Sequence, residues 1–134
     1  MKQASTDAGA RGDILFFLYD IRNEESFNNT IDVYNYFERL NDSAIMCLIG
    51  CFNDSNERKI SKEKGKECLK GRDCFFTEIS NKTGEGINEL LNTSLELFLD
   101  SSLEKIKNKV DRYVNQNKIK RMKKGEKKGG CVFL

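Results

Sequence analysis

Between Ile14 and Lys82, three short apolar runs alternate with stretches of helical period, and no other feature restricts the possible folds as strongly. The runs are Ile14–Leu18, Ala44–Ile49 and Cys74–Ile79. Each is short, continuous and followed by polar residues, which suits a strand buried on both faces. Between the first two, Phe27, Ile31, Tyr34, Phe37 and Leu40 recur at helical spacing and predict an amphipathic helix over Ser26–Leu40. Asn23 is placed to cap it, with Glu24 and Glu25 against the positive end of the helix dipole. Ser61 is placed to cap a shorter helix reaching about Leu69. Strands alternating with helices predict an α/β fold with a parallel sheet. Ligands of such sheets bind beyond the carboxyl ends of the strands. The positions to watch are therefore Tyr19-Asp20, Gly50 to Asp54 and Ser80 to Lys82.

On either side of this unit the chain changes character. Residues 1–13 are small and polar and read as a loop feeding the first strand. After Asn81-Lys82-Thr83-Gly84, an apolar stripe of Ile87, Leu90, Leu91, Leu95, Phe98 and Leu99 predicts a long helix. The stripe thins through Leu103, Ile106, Val110 and Val114, with Ser101-Ser102 as a point of interruption. From Lys118 the period fades, and a flexible basic linker is expected. The division is thus 1–13, then 14–100, then 101–134. Charge follows it. Residues 1–100 hold 12 Lys and Arg against 18 Asp and Glu, whereas residues 101–134 hold 11 against 3. An acidic body with a basic tail points the tail toward an anionic surface, either membrane or nucleic acid. No aromatics interleave the lysines, which disfavours nucleic acid.

The last four residues, Cys131-Val132-Phe133-Leu134, form a Cys-aliphatic-aliphatic-X box, whose terminal Leu favours a geranylgeranyl group on Cys131. One prenyl chain holds weakly and needs a second signal. The adjoining basic run supplies one, at about 1 kcal/mol per Lys or Arg near an anionic leaflet. The competing reading is an accidental box behind a solvated tail. The other cysteines, Cys47, Cys51, Cys68 and Cys74, form no Cys-x-x-Cys, and the chain has no His. A zinc site, a disulfide framework and any His-activated nucleophile are thereby disfavoured. Reduced thiols in a cytosolic setting are expected. No apolar run reaches the ~18 residues of a membrane span, and the N-terminus has no apolar core of a signal peptide.

The strand ends carry a resemblance. Leu18-Tyr19-Asp20-Ile21, with Asn23 and Glu25-Ser26-Phe27, is similar to the V-Y-D-x-T-x-x-E-S-F stretch of Ras-superfamily small GTPases, the Rab branch in particular. Leu48-Ile49-Gly50-Cys51-Phe52-Asn53-Asp54 falls where that family has L-V-G-N-K-x-D. Thr77-Glu78-Ile79-Ser80-Asn81-Lys82-Thr83-Gly84-Glu85 falls where it has E-T-S-A-K-T-G-E. The order and spacing agree from about Arg11 to Leu99. The resemblance implies a partial P-loop NTPase domain of small-GTPase type, β-α-β-α-β-α with a long C-terminal helix. It implies GTP or GDP as ligand, effector or regulator proteins as partners, and residence on the cytosolic face of a membrane in vesicle traffic or signalling.

Site residues transfer only where they match. The resemblance implies that Asp54 accepts two hydrogen bonds from guanine and that Ser80, Asn81 and Lys82 form the loop offering a backbone N–H to the guanine oxygen. Cys51 and Phe52 stand where the family has Asn and Lys. Cys51 cannot tie neighbouring loops as an amide does, whereas the Phe52 ring can stack on a base. The plain alternative for Asp54 is a solvated turn acid. The 134 residues contain no Gly-x-x-x-x-Gly-Lys-Ser/Thr and none of the family's Mg²⁺- or water-positioning motifs, so no hydrolysis is expected of this chain alone. Relative to the family, the chain begins near the fourth strand. Ile14–Leu18 is then expected to be an exposed apolar edge on a marginally stable body. Competing with a truncated switch protein are a nucleotide-free, lipid-anchored interaction module and a gene fragment with no function.

Overall fold

A computed structural model describes residues 11–129, with side chains to Gly125. Residues 1–10, and the prenylation box with Cys131, lie outside the described residues. The elements are β1 (Ile14–Asp20), α1 (Glu24–Leu40), β2 (Ile45–Cys51), α2 (Lys62–Glu67), β3 (Phe75–Ile79) and α3 (Ile87–Gly129). The strands form one parallel sheet in the order β1-β2-β3. Register pairs Tyr19 with Gly50 and Gly50 with Glu78, so the three carboxyl ends finish side by side.

The sheet packs on both faces, most fully at β2, and burial on two faces explains the unbroken apolar run of that strand. On one face Phe17, Tyr19, Met46 and Leu48 pack with Phe27, Tyr34 and Phe37 of α1 and with Ile21, Ile60 and Leu69. Phe17 meets Tyr34 edge to face at 5.3 Å, and Tyr19 meets Phe27 at 4.9 Å. On the other face Cys47, Ile49, Cys51 and Ile79 pack with Leu90 of the first turns of α3. Each fully buried large side chain contributes ~1.5–3 kcal/mol of transfer free energy.

The helix signals act locally as their chemistry dictates. The Asn23 side chain accepts from Ser26 N, so α1 starts at Glu24, two residues before the spacing suggested. The Ser61 hydroxyl accepts from Lys64 N and starts α2, which ends at Glu67 and continues as turns. Strands β1 and β2 run past their apolar residues to Asp20 and Cys51, because backbone pairing does not stop where side chains become polar. Gly50 and Cys51, which lie beyond the second apolar run, belong to the ladder.

At β1 the sheet ends among the described residues. Phe16 and Leu18 are 41% and 51% exposed there, beside a groove of about 220 Å³ lined also by Asn29, Thr30 and Val33. The Thr30 hydroxyl donates to Leu18 O at 2.8 Å and satisfies one edge carbonyl.

The chain divides into two units, one up to Phe98 and one from Leu99. The second, described by itself, is helix. Neither Ser101-Ser102 nor the lysine run interrupts it, and the flexible linker expected from Lys118 is helical through Gly129. The reason is intrinsic: Lys, Arg, Met, Gln and Glu are strong helix formers, and no Pro intervenes. Like-charge repulsion between neighbouring turns costs only a few tenths of a kcal/mol per pair.

Candidate functional site

Three loops leave the carboxyl end of the sheet, and they are tied together by hydrogen bonds. After β2 the chain turns at Phe52–Ser55, where Ser55 N donates to Phe52 O at 2.9 Å. Phe52 has φ +68°, a left-handed conformation uncommon for a bulky residue. Its ring is 45% exposed as a result. Asn53 N donates to Ile79 O (3.1 Å) and Ile21 N donates to Cys51 O (3.3 Å). These backbone bonds join the three strand ends where Cys51 has no amide with which to do so. Cys51 itself is buried against the second core face, and burial pushes its thiol pKa up.

Asp54 and Ser80, 26 residues apart, meet at this end. The Ser80 hydroxyl donates to Asp54 Oδ1 at 2.6 Å. That bond first, with help from Lys82 and Arg22, holds the Asp54 carboxyl below the usual carboxylate range. Ser80 is fully buried, and its hydroxyl also accepts from Thr83 N at 3.1 Å. Its backbone N donates to Glu85 O, and its carbonyl accepts from Gly84 N. Gly86 makes this tight return possible. It has φ +76°, and a Cβ there would lie 2.4 Å from Glu78 O. Asn81 and Lys82 project from the loop into solvent. Asp54 is exposed, with Oδ2 left over after the serine bond. A carboxylate offers about four acceptor positions, so two more N–H donors can be received.

Two arrangements escaped sequence reasoning. At the end of β1, Arg22 makes a fork to Asp20, Nε to Oδ1 at 2.9 Å and Nη2 to Oδ2 at 2.8 Å. Its guanidinium lies 3.8 Å from the centroid of the Phe52 ring. Arg22 and Phe52 are 30 residues apart, and only the parallel register of β1 and β2 brings them together. Both depart from the small-GTPase motif strings, Arg22 at the Thr and Phe52 at the Lys. The cation absent from position 52 is thereby supplied from position 22. The second is Arg58, which grips the buried Glu78 carboxylate at 2.7 and 2.8 Å, and also donates to Ile60 O and Asn53 Oδ1. A single Arg in a turn-rich stretch gives no sequence signal for this.

Burial pushes the Cys47 thiol to about 12 and the Cys74 thiol to about 11, so neither is a thiolate near neutrality.

A parallel three-stranded sheet with helices packed on it, and a polar cluster at the carboxyl ends of its strands, defines an α/β protein whose candidate site lies where such sheets bind ligands. Comparison with known proteins narrows this. The Ras family model matches residues 3–100. Ras-related protein RABC2b of Arabidopsis thaliana is 32% identical over 120 residues, covering 82% of this chain and 58% of that protein. Ras-related protein SEC4 of Saccharomyces cerevisiae is 31% identical over 91 residues, 67% of this chain and 41% of that protein. Ras-related protein Rab-3 of Caenorhabditis elegans is 32% identical over 101 residues, 73% and 45%. The chain belongs to the Ras family and is Rab-like within it. It spans about half the length of these curated relatives.

Proposed function

We propose that this chain carries the base-recognition side of a Rab-like GTP-binding switch, held on the cytosolic face of a membrane and acting in vesicle traffic or signalling. The observation that supports it is the Asp54–Ser80 bond. It fixes one carboxylate oxygen, keeps the group ionised, and leaves acceptors facing solvent at the carboxyl end of the sheet. Guanine presents two parallel N–H donors on one edge, and a fixed carboxylate is their natural partner. Adenine lacks that pair. The Ser80–Lys82 loop lies beside this carboxylate and contributes backbone donors, and Phe52, backed by Arg22, supplies an aromatic platform. GTP or GDP thus fits the base side of the site. The phosphates and Mg²⁺ do not find a motif to hold them in these 134 residues, and no phosphoryl-transfer step is assigned to them.

Attachment is ascribed to a geranylgeranyl group on Cys131, reinforced by the basic residues before it. Effector or regulator proteins are the partners such a switch would engage.

Titration of the chain with fluorescent GDP and ADP analogues tests the reading. GDP is expected to bind more tightly. Asp54→Asn, which replaces an ionised acceptor by a group carrying a donor, should weaken GDP by ~tenfold to ~hundredfold. Equal binding of the two nucleotides, or no effect of Asp54→Asn, would overturn it. No binding of either nucleotide would favour a nucleotide-free interaction module.

A further inference from the structure

The second unit, taken by itself, carries an apolar stripe. Leu99, Leu103, Ile106, Val110 and Tyr113 recur at alternating steps of four and three residues, and Val114 widens the stripe. On one helix these positions share a face. All are between 49% and 69% exposed. A heptad-like stripe of this kind has two ordinary occupants, a second copy of the helix or a lipid surface.

The charges flanking the stripe choose between them. By helical period, Lys107 and Lys109 fall immediately on either side of it, while the acids Glu104 and Asp111 fall on the outer side. A self-paired helix is favoured by opposite charges at the two flanks. Here the central flanking charges are both lysines and Asp100, at the start of the stripe, is the one acid on a flank, so in a parallel pair of copies no acid meets Lys107 or Lys109. Beyond the stripe every charged residue from Arg112 to Lys124 is a cation: Arg112, Lys118, Lys120, Arg121, Lys123 and Lys124. Apolar side chains bordered centrally by lysines, with Glu104 and Asp111 on the far face, a run of cations beyond and an aromatic in the stripe, are the pattern of a helix lying in the plane of a bilayer interface. Flanking lysines lay their stems along the apolar surface and hold their ammonium groups among anionic headgroups. No helix among the described residues is long and apolar enough to cross a membrane, which leaves the surface orientation.

From this charge placement we infer that the helix from Leu99 to about Lys124 is itself a binding element for anionic phospholipid bilayers, inserting Leu103, Ile106, Val110 and Tyr113 between headgroups. It deepens the membrane reading above, yet it does not require the lipid on Cys131. The basic run thus acts as the polar flank of an ordered helix.

The test uses the full chain carrying Cys131→Ser, so that no prenyl group can form, with phosphatidylcholine vesicles made with and without phosphatidylserine. Co-sedimentation with the phosphatidylserine vesicles is expected, with much less on phosphatidylcholine alone. Ile106→Glu combined with Val110→Glu should lower partitioning by ~tenfold or more, since two buried aliphatic side chains are lost. Lys107→Glu with Lys109→Glu leaves the stripe intact and should reduce the preference for phosphatidylserine several-fold, the cations from Arg112 to Lys124 remaining. Circular dichroism of each variant checks that the helix persists. Absence of vesicle binding would overturn the inference. So would binding unchanged by the stripe variant, which is charge attraction alone. So would a reversible dimer in sedimentation equilibrium that the stripe variant dissolves. The prenyl reading stands or falls separately, by the mass of the natively expressed protein.

Discussion

The Ser80 hydroxyl that donates to Asp54 makes its carboxyl a stronger acid than usual, and the consequence can be read against pH. Its folded pKa is depressed, with the Ser80 hydrogen bond as the largest cause. A depressed carboxylate pKa gives a contribution fully present above the ordinary value of ~3.9 and lost as pH falls through the lower folded value. Guanine-nucleotide binding that rests on Asp54 should therefore be insensitive to this group down to about pH 5. Ser80→Ala removes the hydroxyl and should move the acid limb up toward the ordinary carboxylate range. Carboxyl NMR titration of Asp54 in both proteins measures the shift directly, and an unmoved midpoint would refute the assignment of cause. Arg22→Ala separates the second feature of the site. It strips the cation from the Phe52 ring and frees Asp20, whose carboxyl pKa should rise from its lowered value, the loss of the Arg22 hydrogen bond being the main reason.

At the scale of elements, close approaches and one buried ion pair carry most of the sensitivity. Gly65 sits inside α2, where a Cβ would lie 2.6 Å from the Phe76 ring and 2.9 Å from the Tyr19 hydroxyl. Gly65→Ala gains ~1 kcal/mol of helix propensity but incurs ~1–3 kcal/mol of overpacking, so a small net loss of stability is expected in urea melts. Arg58 binds the strand β3 residue Glu78, whose side chain is 3% exposed while that of Arg58 is 31% exposed. Arg58→Ala strands a buried carboxylate and should destabilise by ~2–4 kcal/mol, the lower part of the range for broken buried pairs because Arg58 reaches solvent. Adding Glu78→Gln should recover part of that loss. A double variant no better than the single one would show that Arg58 acts through its other bonds, to Ile60 and Asn53.

For the whole molecule, the open side of β1 governs behaviour. Phe16 and Leu18 stand exposed on a strand whose outer edge pairs with no other strand among the described residues. Three strands with two modest core faces bury little apolar area for their length. Expressed by itself, the chain should melt broadly at low temperature and associate with concentration. Leu18→Lys should reduce that association without loss of helix signal, because the position is half exposed. A sharp, concentration-independent melt of a monomer would contradict this account.

How much of this was legible beforehand can be argued from particular residues. The apolar runs and the spacing of Phe27, Tyr34 and Phe37 determined strand, helix and the α/β class, because burial on two faces or on one leaves a periodic trace along the chain. Asn23 and Ser61 determined helix starts, since capping acts over three residues. The ends of β1 and β2 and the helical state of the lysine run were not legible from pattern. Ladder pairing ignores side-chain polarity, and a charge run looks alike in helix and in coil. Only the tertiary structure could decide that Arg22 lies over Phe52, that Arg58 grips Glu78 and that Asp54 receives Ser80. Those pairs are 30, 20 and 26 residues apart, and their meeting depends on parallel register, which no local chemistry along the chain encodes.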